Sequence, residues 1–319
     1  MRLLPCCTLS VVAAFAVDAV AFRTGVYRRL LEPSSYAGQV EIMLDRAARS
    51  RAGVLVLGDS RIAEGFSARL ADSSGPLRYF NAAIPGSSPR CWYYLLQRLD
   101  PARWQTIVVP LDNYEDEDGD WDFADNPLDT AILAGTLTLA AAPEFVLSHS
   151  SLPARAAALR AALFKGFAFQ RDFQQFLAAP RARLHAVAQF RAHGAEWSDG
   201  YQGRPESVNP GPIAARVPSP QRGVHHRYRM RWLSKIQELA GPRVVAIRLP
   251  RGPQVVPSPP GLPSAVRTLG IVRAPEALFA GLERPEFFAD TLHLNREGRT
   301  RFSLLLAAWL AQQAAGRGR

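Results

Sequence analysis

The chain has 319 residues, 48% of them hydrophobic and 21% charged, with three cysteines and a formal net charge of +10. That length exceeds a usual single domain and falls short of two full catalytic units, so one sizeable domain with an elaboration is expected. Three cysteines exclude a multi-bridge disulfide framework, and basic residues that are nearly all scattered arginines, without an aromatic-interleaved patch, argue against a nucleic-acid partner.

The first element is the apolar stretch Leu3 to Phe22, as long as a bilayer-crossing helix, with Asp18 its only charge. It reads as a retained membrane anchor. The competing reading is a cleaved signal peptide, with Arg2 as its positive region and Ala19-Val20-Ala21 as a small-residue cleavage site. Cys6 and Cys7 come too early for a lipoprotein cleavage site, and Cys91 reads as a small buried hydrophobe. Arg23, Arg28 and Arg29 after the segment, against Arg2 and the amino terminus before it, favour a cytoplasmic C-terminal side. Residues 23–50 read as a juxtamembrane helical segment.

Buried parallel strands are expected at 54–58, 78–84, 106–111, 243–249 and 270–273, from their β-branched content and polar ends. The first ends in Gly58-Asp59-Ser60, where a serine at a strand end can serve as a nucleophile if a histidine reaches it. Taken alone, the tripeptide is also ordinary turn and capping chemistry. The second strand carries Asn81-Ala82-Ala83-Ile84-Pro85-Gly86-Ser87, and the third is followed by Leu111-Asp112-Asn113. Between them, Trp92, Leu95, Leu96 and Leu99 recur at helical spacing as a core face.

Third and fourth strands lie so far apart that a long insertion, about 112–242, must separate them. Its acidic start, Glu115 to Asp122, lacks the calcium-loop pattern and reads as a solvated loop. Helices are expected at 127–142, 152–165, 169–194 and 222–240, with a long loop from Gly203 to Gly223. The insertion fits either a cap over the active end of the sheet or a helical buttress. Trp197-Ser198-Asp199-Gly200-Tyr201 mixes aromatic faces with polar groups as carbohydrate sites do, and a structural turn explains it equally well. His149, His185, His193, His225 and His226 lack metal-ligand spacing, so no metal and no organic cofactor is expected.

Arg61, beside the candidate nucleophile, and Arg248 and Arg251, after the fourth strand, are candidates for binding an anionic substrate. Near the end, Asp290-Thr291-Leu292-His293 puts a carboxylate and an imidazole three residues apart, ahead of an amphipathic helix bearing Phe302, Leu305, Leu306, Trp309 and Leu310.

In these blocks and their order the chain resembles the SGNH or GDSL family of serine esterases and acyltransferases. The resemblance covers residues 54–113 and about 243–312. It implies Ser60 as nucleophile, His293 as base, Asp290 as its orienting partner, and Ser60, Gly86 and Asn113 around the oxyanion. The third block departs from the pattern, since the family's Gly-x-Asn-Asp reads Leu111-Asp112-Asn113-Tyr114 here. The implied fold is α/β, a flavodoxin-like three-layer parallel sheet with helices on both faces, carrying a long, mainly helical insertion between the third and fourth strands.

The expected organisation is an anchor or signal at 1–22, a juxtamembrane segment at 23–50 and a catalytic domain at 51–319. Three functions fit: an esterase of O-acyl groups, an O-acyltransferase working on an exported polysaccharide, and a membrane-anchored scaffold without catalysis. Expected partners are an acylated small molecule or polysaccharide, and the membrane through the N-terminal segment. Many anchored relatives act outside the cytoplasmic membrane, so the resemblance implies an extracytoplasmic catalytic domain.

Overall fold

The computed structural model describes residues 12–13, 15–111, 123–193, 201, 203–207, 222–250, 252 and 269–317. The chain divides into two compact units, Met1–Asp45 with Ala124–His193 and Arg46–Phe123 with Gly194–Arg319. The first stretch of the insertion thus joins the N-terminal segment, while the helix that ends the insertion joins the sheet.

The larger unit is built on five parallel strands: β1 (Val54–Val56), β2 (Tyr79–Asn81), β3 (Thr106–Pro110), β4 (Val244–Ile247) and β5 (Val272–Arg273). Their order is β2-β1-β3-β4-β5, the flavodoxin-like arrangement whose order reverses between β1 and β3. Register follows from the pairs Val54↔Tyr79, Val54↔Thr106 and Ile107↔Val244. The regular strands are shorter than the sequence suggests, because Leu57 and Gly58 leave the ladder while still bonding across it: Leu57 N–H donates to the Val108 carbonyl at 2.9 Å.

Strand alternation divides the core. Val54, Val56, Val108, Val245 and Ile247 face the helices α1 (Ser60–Gly65), α2 (Ala68–Ser73) and the long C-terminal helix, Arg296–Arg317, in one buried cluster with Phe66, Phe302 and Leu306. Residues of opposite parity, Leu55, Ile107, Val109 and Ala246, are equally buried on the other side. There Pro89–Arg98 and Arg222–Ala240 pack together, with Tyr93 and Tyr94 against the fully buried Trp232. Helices therefore cover both faces of the sheet.

The regular elements among the smaller unit's described residues are all helices. Of the helix expected over 127–142 only Pro127–Leu133 forms, and the next helix, Ala142–Leu147, begins where that one was to end, while the segment 169–194 is two helices, Gln170–Ala178 and Pro180–His193. The second break has a local cause: Pro180 pushes Ala179 out of helical geometry, to φ −144 and ψ 61. The helix expected over 152–165 is likewise split, into Leu152–Leu163 and Lys165–Ala168. Asp172 holds the unit together. Its carboxylate accepts from the Tyr27 hydroxyl at 2.5 Å, the Glu32 amide at 3.0 Å and the buried Arg183 guanidinium at 3.0 Å. Burial first, and then the hydrogen bond to Asp172 and its charge, push the Tyr27 phenol above its ordinary pKa. Tyr27 packs edge to face on Phe22 and Phe173, with ring centroids 5.0 and 5.3 Å away.

No helix among the described residues is long and apolar enough to cross a membrane. The stretch Leu3 to Phe22 lies partly outside those residues.

Candidate active site

The site begins with a glycine that nothing else replaces. A Cβ on Gly58 would sit 2.5 Å from Ile62 Cγ1, so its absence lets α1 close onto the end of β1. Asp59 then caps α1: its Oδ1 accepts from the Arg61 amide at 2.9 Å, making Ser60 the first helical residue. This capping geometry is what ordinary turn chemistry predicts for Gly-Asp-Ser. The same geometry leaves the Ser60 side chain partly exposed at the strand's C-terminal end.

Asp59 is buried, and Arg61 folds back on it with Nε 3.1 Å from both carboxylate oxygens and Nη2 2.5 Å from Oδ2. Burial raises the Asp59 pKa, but the Arg61 guanidinium outweighs it and holds the carboxyl below its ordinary value. Arg248 similarly pairs with Glu283 at 3.3 Å. Both arginines considered for an anionic substrate thus already face carboxylates, and Arg251 lies outside the described residues.

The glycine of the second block is fixed by a turn. Ser87 N–H donates to the Ile84 carbonyl at 3.1 Å, with Pro85 and Gly86 between them and Gly86 at φ +73, the pattern of a type II turn. Two bonds tie that turn to the nucleophile's strand, from Ile84 N–H at 3.0 Å and Ser87 Oγ at 2.9 Å, both to the Gly58 carbonyl. Asn81 braces the arrangement from behind, its Nδ2 donating to the Phe66 carbonyl at 3.1 Å. Asn113 falls outside the described residues.

At the far end of the chain, Phe288 and Leu294 bridge antiparallel and Ala289 N–H donates to the His293 carbonyl at 2.9 Å, closing a tight loop. Asp290 Oδ1 accepts from the Leu292 amide at 2.8 Å and the His293 amide at 2.7 Å. His293 Nδ1 lies 2.9 Å from Asp290 Oδ2, and its Nε2 lies 2.8 Å from Ser60 Oγ. A carboxylate only accepts, so Nδ1 carries a proton, and the neutral form of the ring with that tautomer has Nε2 as the acceptor for the Ser60 hydroxyl. Burial raises the Asp290 pKa, but the His293 and Leu292 amides and the imidazole outweigh it, holding the carboxyl at about 2. Asn295 starts the last helix, its Oδ1 accepting from Gly298 N–H at 2.9 Å. The backbone at Gly252, beyond β4, presses so closely on the Thr291 carbonyl that no side chain fits.

Three residues not singled out in the sequence, Glu64, Arg204 and Arg299, complete the surroundings together with Tyr201. Arg204 Nη2 bridges Asp290 Oδ2 at 2.9 Å and Glu64 Oε2 at 3.0 Å. Glu64 also accepts from the Tyr201 hydroxyl at 3.1 Å, and the Arg299 guanidinium stands 5.0 Å over the Tyr201 ring. Arg204 is seated by its own carbonyl, which accepts from Arg296 N–H at 2.8 Å, after a Gly203 at φ +79. Glu64 was detectable, since it lies one helical turn after Ser60 on the same face. Arg204 had no such signal, being one arginine in an irregular loop.

The described part of the Trp197 to Tyr201 motif, Tyr201, therefore faces Glu64 and Arg299. Among the described residues, no group of three or more His, Cys, Asp or Glu side chains is placed to hold a metal ion. His149 is buried with Nδ1 at 3.0 Å from the Phe145 carbonyl, a structural setting. Compared with known proteins, the chain matches no family model and no curated protein.

Proposed function

We propose that this protein is an SGNH-type serine hydrolase that cleaves an O-acyl ester through an acyl-serine intermediate. One observation carries the reading: Ser60 Oγ, His293 and Asp290 form a continuous relay, at 2.8 and 2.9 Å, although 233 residues separate nucleophile and base.

The chemistry follows from charge development. Ser60 Oγ attacks the ester carbonyl as His293 Nε2 takes its proton, and Asp290 stabilises the imidazolium without itself becoming protonated. The imidazolium then protonates the leaving alcohol. His293 next activates a water, which attacks the acyl-Ser60 and restores the serine. The developing oxyanion meets the amides of Ser60 and Gly86, with the Asn113 side chain as third donor by resemblance. One such donor contributes about 3 kcal/mol to the transition state. Ser60 at the first turn of α1 adds the favourable end of the helix dipole.

In this reading Leu3 to Phe22 anchors the chain, with the catalytic unit on the extracytoplasmic side, acting on acyl groups of an exported glycan or a small ester. A reporter fused to the C-terminus tests the orientation, and cytoplasmic reporter activity would reverse it.

A fluorophosphonate probe tests the nucleophile. It should label the full chain at Ser60 only, and Ser60→Ala should abolish both labelling and ester hydrolysis. Incubation with an acetyl ester, with and without oligosaccharide acceptors, then identifies the acyl acceptor by mass spectrometry. Free acetate is the expected product. Dominant sugar acetylation would make the protein a transferase, and failure to form acyl-Ser60 would leave a non-catalytic scaffold.

A further inference from the structure

Exposed apolar side chains are unevenly shared between the two units. Of the large hydrophobic residues exposed among the described residues, only Val272, Leu304 and Leu305 belong to the sheet unit, and all the others belong to the helical unit. They include Leu152, 77% exposed, with Leu159 and Leu163. Spacings of seven and four residues align these three leucines along one stripe of the helix Leu152–Leu163. Phe167, 55% exposed, follows just beyond it. A stripe of this kind marks a contact surface.

What covers it is indicated by how the N-terminal segment is held. Phe15 meets Phe164 edge to face at 5.7 Å, and Phe22 meets Phe169 at 6.0 Å. Between them, Asp18 is buried and its carboxylate accepts from the Lys165 and Gly166 amides at 3.1 and 2.6 Å. Arg23 Nη2 donates to the Ala162 and Leu163 carbonyls at 2.7 and 2.6 Å, closing the C-terminal end of the leucine-striped helix. Residues 15–22 thus run beside residues 162–169 of the insertion.

We infer that the helical unit is a bilayer-docking module, in which the insertion's leucine stripe enters the interface of the same membrane that the N-terminal segment crosses. The inference rests on the anchor reading of Leu3 to Phe22. If that stretch crosses the bilayer, its last eight residues, 15–22, span about 10 Å of depth at one boundary. The helix Lys165–Ala168 packed against them, and the C-terminal end of the leucine-striped helix that Arg23 holds, lie at that level, and interfacial helices bury their apolar faces by about 5–10 Å. Val17 and Val20, each 67% exposed, lie on this stretch. Exposed Arg160, Arg171 and Arg181 on the insertion's helices supply charge for anionic headgroups. Asp18 acquires a role as well: it joins anchor to insertion, and cleavage after Ala21 would remove that joint.

The test uses the full chain in vesicles of phosphatidylcholine, with and without phosphatidylglycerol, and an environment-sensitive thiol probe. Cys91 is buried, so labelling falls on Cys6 and Cys7, which report the anchor. In a Cys6→Ser, Cys7→Ser background, Leu159→Cys reports the stripe and Leu305→Cys serves as a control in the sheet unit. At Leu159→Cys, iodide quenching should fall several-fold on reconstitution and spin-labelled lipid should quench the probe, more so with phosphatidylglycerol. Leu305→Cys should show neither change.

Equal iodide access at the two positions would overturn the docking surface, even with the Cys6 and Cys7 probes shielded by lipid. Shielding at Leu159→Cys without vesicles, together with cross-linking between copies, would overturn it in favour of a dimer interface. A mature chain beginning at Phe22 would instead remove the anchor reading on which the inference rests. Ester hydrolysis is read separately, by Ser60 labelling.

Discussion

Asp290→Asn should nearly abolish hydrolysis while leaving the fold in place, and the reason is the seat each oxygen occupies. Oδ1 accepts from two backbone amides, of Leu292 and His293, while Oδ2 faces His293 Nδ1 and Arg204 Nη2. An asparagine keeps its single oxygen toward the two amides, which puts its NH2 against His293 Nδ1. The flipped amide would confront both backbone N–H groups with a donor, at roughly 1–3 kcal/mol for each group left unsatisfied. The opposite clash, with Arg204, is mild because that side chain is 40% exposed and free to turn toward solvent. The unflipped form is therefore favoured by about 2 kcal/mol or more, about thirtyfold in population. In that form Nδ1 must accept, so the proton moves to Nε2, and His293 can no longer take the Ser60 proton. With the loss of imidazolium stabilisation added, kcat should fall by about ten-thousand-fold, as it does when a triad carboxylate is neutralised. KM should change little. Steady-state ester hydrolysis and the rate of fluorophosphonate labelling at Ser60 should fall in parallel. A kcat within about tenfold of wild type would refute the tautomer argument.

The same variant reports on acid stability. The Asp290 carboxyl is lowered from 3.8 to about 2 on folding, so its contribution is full above the unfolded value and is lost as pH falls from 3.8 toward 2. Wild type and Asp290→Asn should therefore converge in stability across that window in acid titrations, and a gap that stays constant would contradict the linkage. Gly58→Ala forces a methyl against Ile62 and should cost about 1–3 kcal/mol, as overpacking does, measured by chemical denaturation; an unchanged midpoint would mean that α1 shifts freely. Asp172→Ala leaves the buried Arg183 with Glu32 and the Leu30 carbonyl alone and should destabilise the helical unit by about 1–3 kcal/mol, visible as early loss of amide protection in the Pro180–His193 helix.

Local chemistry determined how much of this was legible in advance. Strands β1, β3 and β4 announced themselves because buried parallel strands are near-continuous hydrophobic runs rich in valine, isoleucine and leucine, as in Val54 to Leu57 and Val244 to Ile247. Ser60, Asp290 and His293 were legible because each sits in a short block with its own turn logic, and the structure brings all three within hydrogen-bond reach. Arg204 was not, since its role exists only after an irregular loop has docked on the start of the C-terminal helix, and Tyr201 was marked only as part of a mixed aromatic and polar motif. The breaks at Ala134 and Ala179 were underweighted signals, Gly135 and Pro180 being plain in the chain. Least legible was the partnership of the N-terminal segment with the insertion. It depends on polar contacts such as Asp18 to Gly166, which leave no periodicity to detect.

That partnership sets an order of events during synthesis. Asp18 and Lys165 are 147 residues apart, and β1, β2 and β3 all emerge from the ribosome between them. The N-terminal segment must wait for its partner, while the first three strands await β4 on the far side of the insertion. The sheet unit is interrupted by residues 124–193 and the helical unit by residues 46–123, so each must wait for part of the other to be made. Such long sequence separations slow folding and prolong the exposure of apolar surface. A nascent chain whose first segment is already held by a membrane would have its search confined to the bilayer surface, which shortens the distance that the later helices must travel.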